Sequence, residues 1–508
     1  MIEATRTRPV YRWIDHAGKI AWILFLVTLP VTSFPFFPGG FGGGTLVRPL
    51  SIYPLIALFL LVILPRLFSR PLPRTLVSFL PFVLVALAST LLAALQGIEP
   101  SQGISVVSRM IRALITLGFG TAVFFTVSLM PLSENDLRSS LRWLYAGFFA
   151  ALFWGSLQAI YVVHYSNAWF EMLSKIQDYI SIRRLFINRV SGMTYEPNWF
   201  ADQISLLLLP WLISSVLNGY SVFGWRWRWI TIETFLLAWG IALLPFTYSR
   251  AGLAVMLALV VLSVLFFRRG KQGVRSFGRR ALRRAVEIIL LLAVLAGGIY
   301  FAGTKNAFFA RIWDYWERKP DEGTVAYVLG YFEYLGFGAR FTYWQTAFNM
   351  FEDYPLFGVG LGNYAFYFED ELPDRPLVTQ PEVLRLVVPE LGRNRLVTSK
   401  NFFLRVLAET GLVGAAAFLA FFVAVAGCAL YLWLGNPSNQ KFWGTAGLLG
   451  IISFIMVSFS FDSFAIPNLW VVFGLVTAAA NIFTQMPETS PVAHETLQDK
   501  GYELQAID

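Results

Sequence analysis

Residues Ser399–Gly414 read SKNFFLRVLAETGLVG and continue directly into an apolar run that ends near Leu434. A lysine and an asparagine therefore precede a segment that is long enough to cross hydrocarbon, because a spanning helix needs about 20 mostly apolar residues. The whole chain has this character: of its 508 residues, 56% are hydrophobic and 14% are charged. Soluble domains carry about 25% charged residues, so the composition predicts a protein that is embedded in a bilayer.

Segments of this kind recur along the chain and predict an all-α polytopic membrane protein with about 12 transmembrane helices. They cover residues 17–37, 50–67, 75–95, 110–130, 141–163, 199–217, 229–246, 250–268, 285–303, 410–434, 442–461 and 466–485. No small-x-small cleavage site closely follows the first segment, so it is predicted to be a helix and not a signal peptide. The residues TYS between the seventh and eighth segments predict a tight helical hairpin.

The basic residues predict how these helices are oriented. Residues 268–284, RRGKQGVRSFGRRALRR, contain eight basic and no acidic side chains, and short basic loops stay on the cytoplasmic side of a membrane. Counting spans from this loop places both termini in the cytoplasm and residues 165–198 and 304–401 outside. The net charge of +9 is explained by this asymmetry, so the lipid bilayer is an expected partner and nucleic acid is not.

The order of spans and loops predicts four regions. They are a bundle of helices 1–9 at residues 1–303, a large and partly helical extracytoplasmic loop between helices 9 and 10 at residues 304–401, helices 10–12 at residues 402–485, and a cytoplasmic tail at residues 486–508. A loop as long as the second region is uncommon unless it has a function. With one cysteine and three histidines in the chain, neither a disulfide framework nor a metal site is predicted.

Four stretches place cationic and polar side chains at the predicted outer ends of helices. They are NRVSGMTYEPNWFADQ at residues 188–203, TYSRAGLAV at 247–255, ARFTYWQTAFNMFEDYPLFGVGLGNY at 339–364, and the opening stretch at 399–414. A single arginine at a membrane surface is explained by snorkelling to the interface, so the set is more informative than any member. The glycines of GVGLGN follow no strand and predict a tight turn, because a nucleotide-binding loop requires a preceding strand.

Local spacing within these stretches predicts further structure. Phe341, Trp344 and Phe348 recur at helical spacing, which predicts an amphipathic helix whose aromatic residues serve packing rather than sugar binding. Arg405 and Glu409 stand four residues apart and predict an ion pair on a helix surface.

The four stretches, in this order and at about this spacing, resemble the motifs of the O-antigen ligase and polymerase family, which are large-loop bacterial membrane glycosyltransferases. The resemblance covers residues 188–414 and implies a bundle of about twelve transmembrane helices with one long periplasmic loop. It also implies an undecaprenyl-diphosphate-linked glycan donor, a glycan or lipid acceptor, and a location in the bacterial inner membrane. The expected products are O-antigen or exopolysaccharide, and no cofactor is expected.

The resemblance implies roles for individual residues. Arginines that match Arg250 and Arg340 hold the lipid-linked diphosphate in the family, and Arg189 matches an arginine of the earlier motif. The last family motif normally begins with histidine and asparagine, whereas this chain has Lys400 followed by Asn401. The predicted catalytic residues are therefore Arg250, Arg340, Lys400 and Glu196, and the predicted substrate-binding residues are Arg189, Asn198, Asn401 and Arg405.

The chemistry of glycan transfer requires such arginines for a physical reason. Negative charge builds on the bridging oxygen of the lipid diphosphate as the anomeric bond breaks. Arginine stays charged and presents a planar fork of donors that fits phosphate oxygens. Two or three such groups at a low-dielectric boundary supply the main electrostatic stabilisation, so this interpretation requires neither a nucleotide nor a metal.

Three roles stay open for Lys400. As a general base it must lose its proton, although an unperturbed lysine has a pKa of about 10.4; neighbouring arginines and burial lower such a pKa. It can instead remain cationic and bind the diphosphate or an acidic sugar, or it can anchor the helix at the interface. If Lys400 is not the base, Glu196 is the nearest carboxylate by motif position, and His164 is a weaker candidate.

A transporter or flippase for polysaccharide or lipid-linked oligosaccharide is the main alternative function. Transporters tend to carry internal repeats and ionisable residues near mid-membrane, whereas Glu233 and Glu287 lie near the ends of predicted helices. The sequence therefore favours a glycosyltransferase, with a non-catalytic assembly protein as a third option. Within the enzyme class a polymerase is slightly favoured over a ligase, because lysine in place of the histidine indicates different acceptor chemistry.

Overall fold

The fold is almost entirely helical. The computed structural model describes residues 9–37, 46–69, 72–101, 103–228, 230–264, 337–373, 381–388 and 397–485, together with isolated positions between 297 and 334. Within these residues, β structure is confined to two isolated bridges and to strands β1 (Arg226–Trp227) and β2 (Ile230–Thr231), which pair antiparallel. The prediction of an all-α polytopic membrane protein is confirmed.

The described residues form fourteen helices. They are α1 (Pro9–Thr28), α2 (Ile52–Ser69), α3 (Arg74–Ala94), α4 (Val106–Leu129), α5 (Glu134–Val163), α6 (Asn167–Gln177), α7 (Pro197–Asn218), α8 (Ile232–Leu243), α9 (Arg250–Leu262), α10 (Gly338–Asp353), α11 (Pro381–Val387), α12 (Phe402–Leu434), α13 (Ser438–Val457) and α14 (Pro467–Gln485). A 3₁₀ turn, Leu244–Thr247, continues α8, so only Tyr248 and Ser249 separate it from α9.

Among the described residues, eight helices are long and apolar enough to cross a membrane, namely α2, α3, α4, α5, α7, α12, α13 and α14. The apolar helices α8 and α9 are shorter. The predicted ninth span at 285–303, the basic loop at 268–284, most of the predicted loop at 304–401 and the tail at 486–508 lie outside the described residues. The total of 12, the four-region division and the cytoplasmic placement of the termini therefore remain predictions.

The first predicted span, 17–37, is displaced along the chain. Helix α1 begins at Pro9 and ends at Thr28, shortly before Pro30, which cannot donate a helical hydrogen bond. The following residues run beside residues 48–50 instead: the Phe34 amide donates to the Arg48 carbonyl at 2.8 Å, and the Leu50 amide donates to the Val31 carbonyl at 3.0 Å. Apolar composition predicted helix here because it does not distinguish helix from a buried extended segment.

The two ends of the bundle differ in chemistry. At one end, which we call the basic end, arginine side chains donate to backbone carbonyls at the end of α4 and in the loop that follows α7. Arg66 donates to Leu129 at 2.7 Å, and Arg138 and Arg142 both donate to Val222, at 2.7 and 2.9 Å. The opposite end, which we call the site end, contains the amino ends of α7, α9, α12 and α14 and all four sequence motifs.

Helix α12 is interrupted where it passes the loop that follows α10. Gly411 has φ 63° and ψ −167°, so the amides of Leu412 and Val413 cannot bond to the carbonyls of Ala408 and Glu409 as an α-helix requires. Residues 355–360 replace both sets of bonds. The Val359 and Gly360 amides donate to Ala408 and Glu409, each at 3.0 Å, and the Pro355 and Leu356 carbonyls accept from Leu412 and Val413 at 2.8 and 3.2 Å.

The turn GVGLGN makes this exchange possible, and the prediction that it is a tight turn is confirmed. Gly358, Gly360 and Gly362 have φ of 67°, 88° and 86°, a region that side chains with a Cβ adopt only at a cost. A Cβ on Gly360 would also collide with Ala93, and one on Gly362 would lie 2.6 Å from Ala113. The turn therefore packs directly against α3 and α4 and fixes the outer loop to the bundle.

We expect Gly411→Ala to destabilise the protein by about 2 kcal/mol or more, because its Cβ would collide with the Leu356 backbone and its φ would be strained. Gly427→Ala is the matched control on the same helix, since no atom lies within 4 Å of its added Cβ. Thermal unfolding in detergent should show a lower midpoint for Gly411→Ala only. Equal midpoints for the two variants would contradict the exchange of hydrogen bonds described above.

Candidate active site

The loop that carries Arg189 is held rigidly by backbone contacts. The Gln158 side chain accepts from the amides of Ser191 and Gly192, both at 3.0 Å, and donates to the Gly192 carbonyl at 2.9 Å. The Val190 amide donates to the Phe246 carbonyl at 2.9 Å. The loop therefore lies against the 3₁₀ turn that precedes Arg250.

Arg189 and Arg250 lie beside the first turn of α7. The Arg189 guanidinium donates to the Thr247 carbonyl and to Asn198 Oδ1, both at 2.9 Å. Burial lowers the pKa of Arg189, Glu196 opposes this shift, and the nearby charges of Arg183 and Arg250 lower the pKa further. Arginine still keeps its charge in such surroundings. Arg250 is half-buried at the start of α9, so these residues concentrate positive charge at the membrane boundary.

Glu196 is engaged by an arginine that the sequence analysis did not select. Arg183 Nη1 lies 2.8 Å from Glu196 Oε1, with the two side chains 36% and 38% exposed. The Arg183 guanidinium also lies 4.3 Å from the ring centre of Phe186 and 4.9 Å from that of Tyr195. Glu196 therefore pairs with Arg183, whose guanidinium lies against two aromatic rings. His164 is exposed at the end of α5.

Arg340 approaches the same turn of α7 from the outer loop. It lies in the first turn of α10, and its Nη1 donates to the Phe459 carbonyl at 3.4 Å. It also interacts electrostatically with Asp202, a carboxyl group that is only 7% exposed. Because Asn198 and Asp202 are four residues apart in α7, they share one face of the helix. The contact of Arg189 with Asn198 and the attraction of Arg340 to Asp202 therefore bring the two motifs to one surface.

Lys400 has an exposed side chain on a strained backbone. Its φ is 56°, an uncommon conformation for a residue other than glycine. Its amide donates to Asp462 Oδ2 at 3.0 Å, so the loop between α13 and α14 holds Lys400 in this conformation. Strain that the surrounding structure maintains is common at functional sites. Here the strained residue is a lysine with an exposed side chain at the site end of the bundle.

Asn401 and Arg405 have structural partners within the protein. Asn401 is buried, and its Oδ1 caps α12 by accepting from the amides of Phe403 and Leu404 at 3.0 and 3.1 Å. The tenth span was predicted to begin at residue 410. This cap explains why α12 begins earlier, at Phe402. Arg405 donates to Glu409 at 3.0 Å and to the Asp462 carbonyl at 2.6 Å.

The pair of Arg405 and Glu409 exists, but the prediction that it lies on a helix surface is wrong. The two side chains are 8% and 2% exposed. A buried pair requires additional hydrogen bonds and charges to offset its desolvation, and Asp462 provides both through its backbone carbonyl and its negative charge. Arg109 lies close to the same charges. Arg109 also donates to the Gly362 carbonyl at 3.1 Å, so this charge network connects α4, α12 and the glycine turn.

The predicted packing role of the aromatic residues on α10 is also wrong in part. Phe341 and Phe348 are 36% and 41% exposed. The buried face of α10 is formed instead by Ala339, Tyr343, Ala347 and Met350. Trp344 makes the predicted kind of contact, with its ring 5.8 Å from that of Phe459. The spacing of the aromatic residues predicted the helix correctly but predicted the wrong buried face. Small residues such as Ala339 and Ala347 allow α10 to pack more closely against its neighbours.

Like Arg183, Asp462 is a residue of this site that the sequence did not predict, and Asp202 lies in a predicted motif without a predicted role. Asp202 stands within the motif NRVSGMTYEPNWFADQ, whereas Asp462 follows a predicted span in a short loop that carries no other charge. The sequence did contain a signal for these two aspartates: each is an acidic residue at the predicted outer end of a helix, on the side of the membrane where the cationic motifs are predicted. Within the described ranges, no group of three or more His, Cys, Asp or Glu side chains is arranged to hold a metal ion.

One comparison with known proteins gives a match. Residues 235–419 match a family model described as O-antigen ligase, Wzy_C. The matched range contains Arg250, Arg340 and the whole stretch from Lys400 to Glu409, and it confirms the resemblance that the motifs indicated. No curated protein matches the chain.

We expect Asp462→Ala to release the segment that contains Lys400, because the Lys400 amide loses its acceptor. One such hydrogen bond is worth about 1 kcal/mol, so hydrogen exchange at residues 399–404 should become about fivefold faster. Asp462→Asn keeps an oxygen that can accept this bond and should leave the exchange rate nearly unchanged. Equal protection of this segment in both variants would show that Asp462 does not hold Lys400.

Proposed function

We propose that this chain transfers a glycan from an undecaprenyl-diphosphate-linked donor to an acceptor hydroxyl, since its residues 235–419 match a family model described as O-antigen ligase. The reaction takes place at the outer face of the bacterial inner membrane. The site end of the bundle is that face, and the basic end lies in the cytoplasm, in agreement with the distribution of basic loops.

One observation carries this proposal. Arg189 donates a hydrogen bond to Asn198, and Arg340, from a distant part of the sequence, acts electrostatically on Asp202 on the same face of α7, while Arg250 lies near Arg189. Three guanidinium groups at a membrane boundary form a site for a dianionic or more highly charged headgroup. A lipid-linked diphosphate has this headgroup, and its oxygens suit the planar donor fork of arginine.

The proposed reaction is a displacement at the anomeric carbon. The acceptor oxygen forms a bond to that carbon, the bond from the carbon to the diphosphate oxygen breaks, and the electron pair leaves with the lipid diphosphate. The acceptor hydroxyl gives up its proton to a base or to water. Arg250 and Arg340 stabilise the charge that develops on the leaving group, and Arg189, oriented by Asn198, assists them.

The remaining predicted residues take supporting roles in this proposal. Glu196 holds Arg183. Arg405 and Asn401 position the start of α12, because both are buried and bonded within the protein. Lys400 stays cationic and binds the diphosphate or an acidic group of the acceptor, since its exposed side chain projects from the rim next to Asp462.

We expect Arg340→Ala to reduce glycan transfer by at least about 100-fold, the usual cost of removing a donor that stabilises a developing negative charge. The measurement is turnover of purified enzyme with a defined lipid-linked donor. Arg385→Ala is the matched control, because Arg385 is an exposed arginine on α11 in the same outer region and should not affect turnover. Full activity of Arg340→Ala would remove the role of Arg340 as a diphosphate ligand.

Substitutions of Lys400 distinguish a cation from a base. Arginine cannot be deprotonated in proteins, so we expect Lys400→Arg to keep transfer within about tenfold of the parent, whereas Lys400→Met loses most of it. Turnover as a function of pH checks both variants. Loss of activity in Lys400→Arg that equals the loss in Lys400→Met would favour the general-base role instead.

We favour a polymerase over a ligase, because lysine in place of the family histidine indicates different acceptor chemistry. Purified protein supplied only with lipid-linked repeat units should then produce a ladder of longer chains on the lipid. Product that forms only after a separate lipid or core acceptor is added would identify a ligase. Movement of labelled lipid across vesicles without any new glycosidic bond would support the transporter.

A further inference from the structure

A small cavity lies where α7, the loop between α13 and α14, and the start of α14 meet. Its volume is about 10 Å³, which is close to the space that one water molecule requires. Most of its wall is apolar and includes Trp199 and Phe461. Three polar side chains also line it, namely Thr32, Asp202 and Asn468, so the cavity is small but not wholly apolar.

Two buried oxygen atoms at this cavity lack hydrogen-bond donors. Asp202 and Asn468 are 7% and 3% exposed, and the Oδ1 atom of each has no hydrogen-bond partner within the described residues. Buried polar atoms are nearly always hydrogen-bonded, because an unpaired one costs free energy. Both atoms are acceptors, so neither satisfies the other. One water molecule can donate an O–H to each, and it therefore fits the cavity in size and in chemistry.

The cavity adjoins the contacts that hold two arginines of the candidate site. The first turn of α7 forms part of its wall, and Asn198 in that turn accepts from Arg189 at 2.9 Å. The loop between α13 and α14 forms another part, and the carbonyl of Phe459 in that loop accepts from Arg340. Arg340 also acts electrostatically on Asp202. A group at this cavity is therefore close to the proposed diphosphate ligands.

Asp202 differs from the other carboxyl groups of the site. Three of those groups accept a hydrogen bond from an arginine or a backbone amide: Glu196 from Arg183, Glu409 from Arg405, and Asp462 from the Lys400 amide. The Oδ1 atom of Asp202 has no such donor within the described part of the chain. Of these four carboxyl groups, Asp202 is thus the one with a buried oxygen that is free to receive a proton.

We propose that Asp202, through one water molecule held between it and Asn468, accepts the proton that the acceptor hydroxyl loses; this inference rests on the function proposed above. The hydroxyl proton moves to the water oxygen, and a proton of the water moves to Asp202 Oδ1. The acceptor oxygen bonds to the anomeric carbon, and the electron pair of the broken bond leaves with the lipid diphosphate. Asp202 returns its proton to solvent before the next turnover.

The geometry of one water molecule explains why the cavity needs both oxygens. The cavity is too small for a sugar ring, so the carboxyl group reaches the acceptor only through the water. When both O–H groups of the water donate to Asp202 and Asn468, its lone pairs point away from them and can accept from the acceptor hydroxyl. Asn468 is then a positioning residue. A positioned proton acceptor contributes about 10²–10⁴-fold to the rate.

The first test separates proton transfer from donor binding. Asp202→Asn keeps the size of the side chain but removes the carboxylate that accepts the proton. We expect kcat to fall at least about 100-fold, with KM for the lipid-linked donor within about twofold of the parent. Binding of an isoprenyl diphosphate without glycan should be unchanged, because the arginines remain. Glu352→Gln is the matched control, since Glu352 is an exposed carboxylate on α10, and it should match the parent.

A pair of substitutions tests the positioning role of Asn468. Asn468→Leu removes the acceptor oxygen, whereas Asn468→Ser keeps an oxygen that can accept from the water. We expect Asn468→Leu to lower kcat about tenfold with KM unchanged, which is the cost of one hydrogen bond. Asn468→Ser should keep most of the parent kcat. Thermal unfolding in detergent checks that both variants fold, and this pair decides the matter even if Asp202→Asn does not fold.

A structure tests the water site without any turnover. The full chain in lipid nanodiscs, at a resolution that shows ordered water, should contain one water molecule within hydrogen-bond distance of Asp202 Oδ1 and Asn468 Oδ1. Asn468→Leu should lack it. If the parent chain contained this water but transferred no glycan, the proposed function would fail and the water site would stand.

Four results would overturn the inference. The first is a kcat of Asp202→Asn within about tenfold of the parent. The second is a loss in that variant that appears only in donor KM, which would limit Asp202 to orienting Arg340. The third is equal kcat for Asn468→Leu and Asn468→Ser. The fourth is a parent cavity that is dry or holds a metal ion.

Discussion

The interruption of α12 at Gly411 is the constraint on which the site depends. Two carbonyls and two amides that a continuous helix would pair internally are paired instead with residues 355–360. In a membrane these groups cannot remain unpaired, because no water is present to satisfy them. The same bonds bring α10 and Arg340 to the bundle and separate the first turns of α12, with their polar residues, from the apolar segment that follows.

Three arginines of the site have fixed partners. Arg183 pairs with Glu196, Arg189 with Asn198 and Thr247, and Arg405 with Glu409 and the Asp462 backbone. Fixed partners keep the guanidinium groups oriented, which lowers the reorganisation needed when an anionic headgroup arrives. The loop between α13 and α14 has a central place in this arrangement, because Phe459 and Asp462 contact Arg340, Lys400 and Arg405.

Much of the fold could be predicted because hydrocarbon imposes strict requirements on composition and length. Most of the predicted spans correspond to helices in the described residues. The cationic motifs lie at one end of the bundle, as the count of membrane crossings predicted. The errors have physical causes. Residues 29–37 are apolar yet extended, Phe341 and Phe348 are aromatic yet exposed, and Arg405 and Glu409 are charged yet buried. In each case tertiary contacts outweighed the preference of the residue type.

The sequence by itself determined that the chain is a helical membrane protein and that arginines and a lysine mark one end of its helices. These features depend on composition, spacing and the sign of charge, which are local properties. Tertiary structure alone decided that Asp462 belongs to the site and that the glycine turn completes the broken helix α12. Those facts arise from contacts between segments tens to hundreds of residues apart in the chain, and such contacts leave no periodic signal in the sequence.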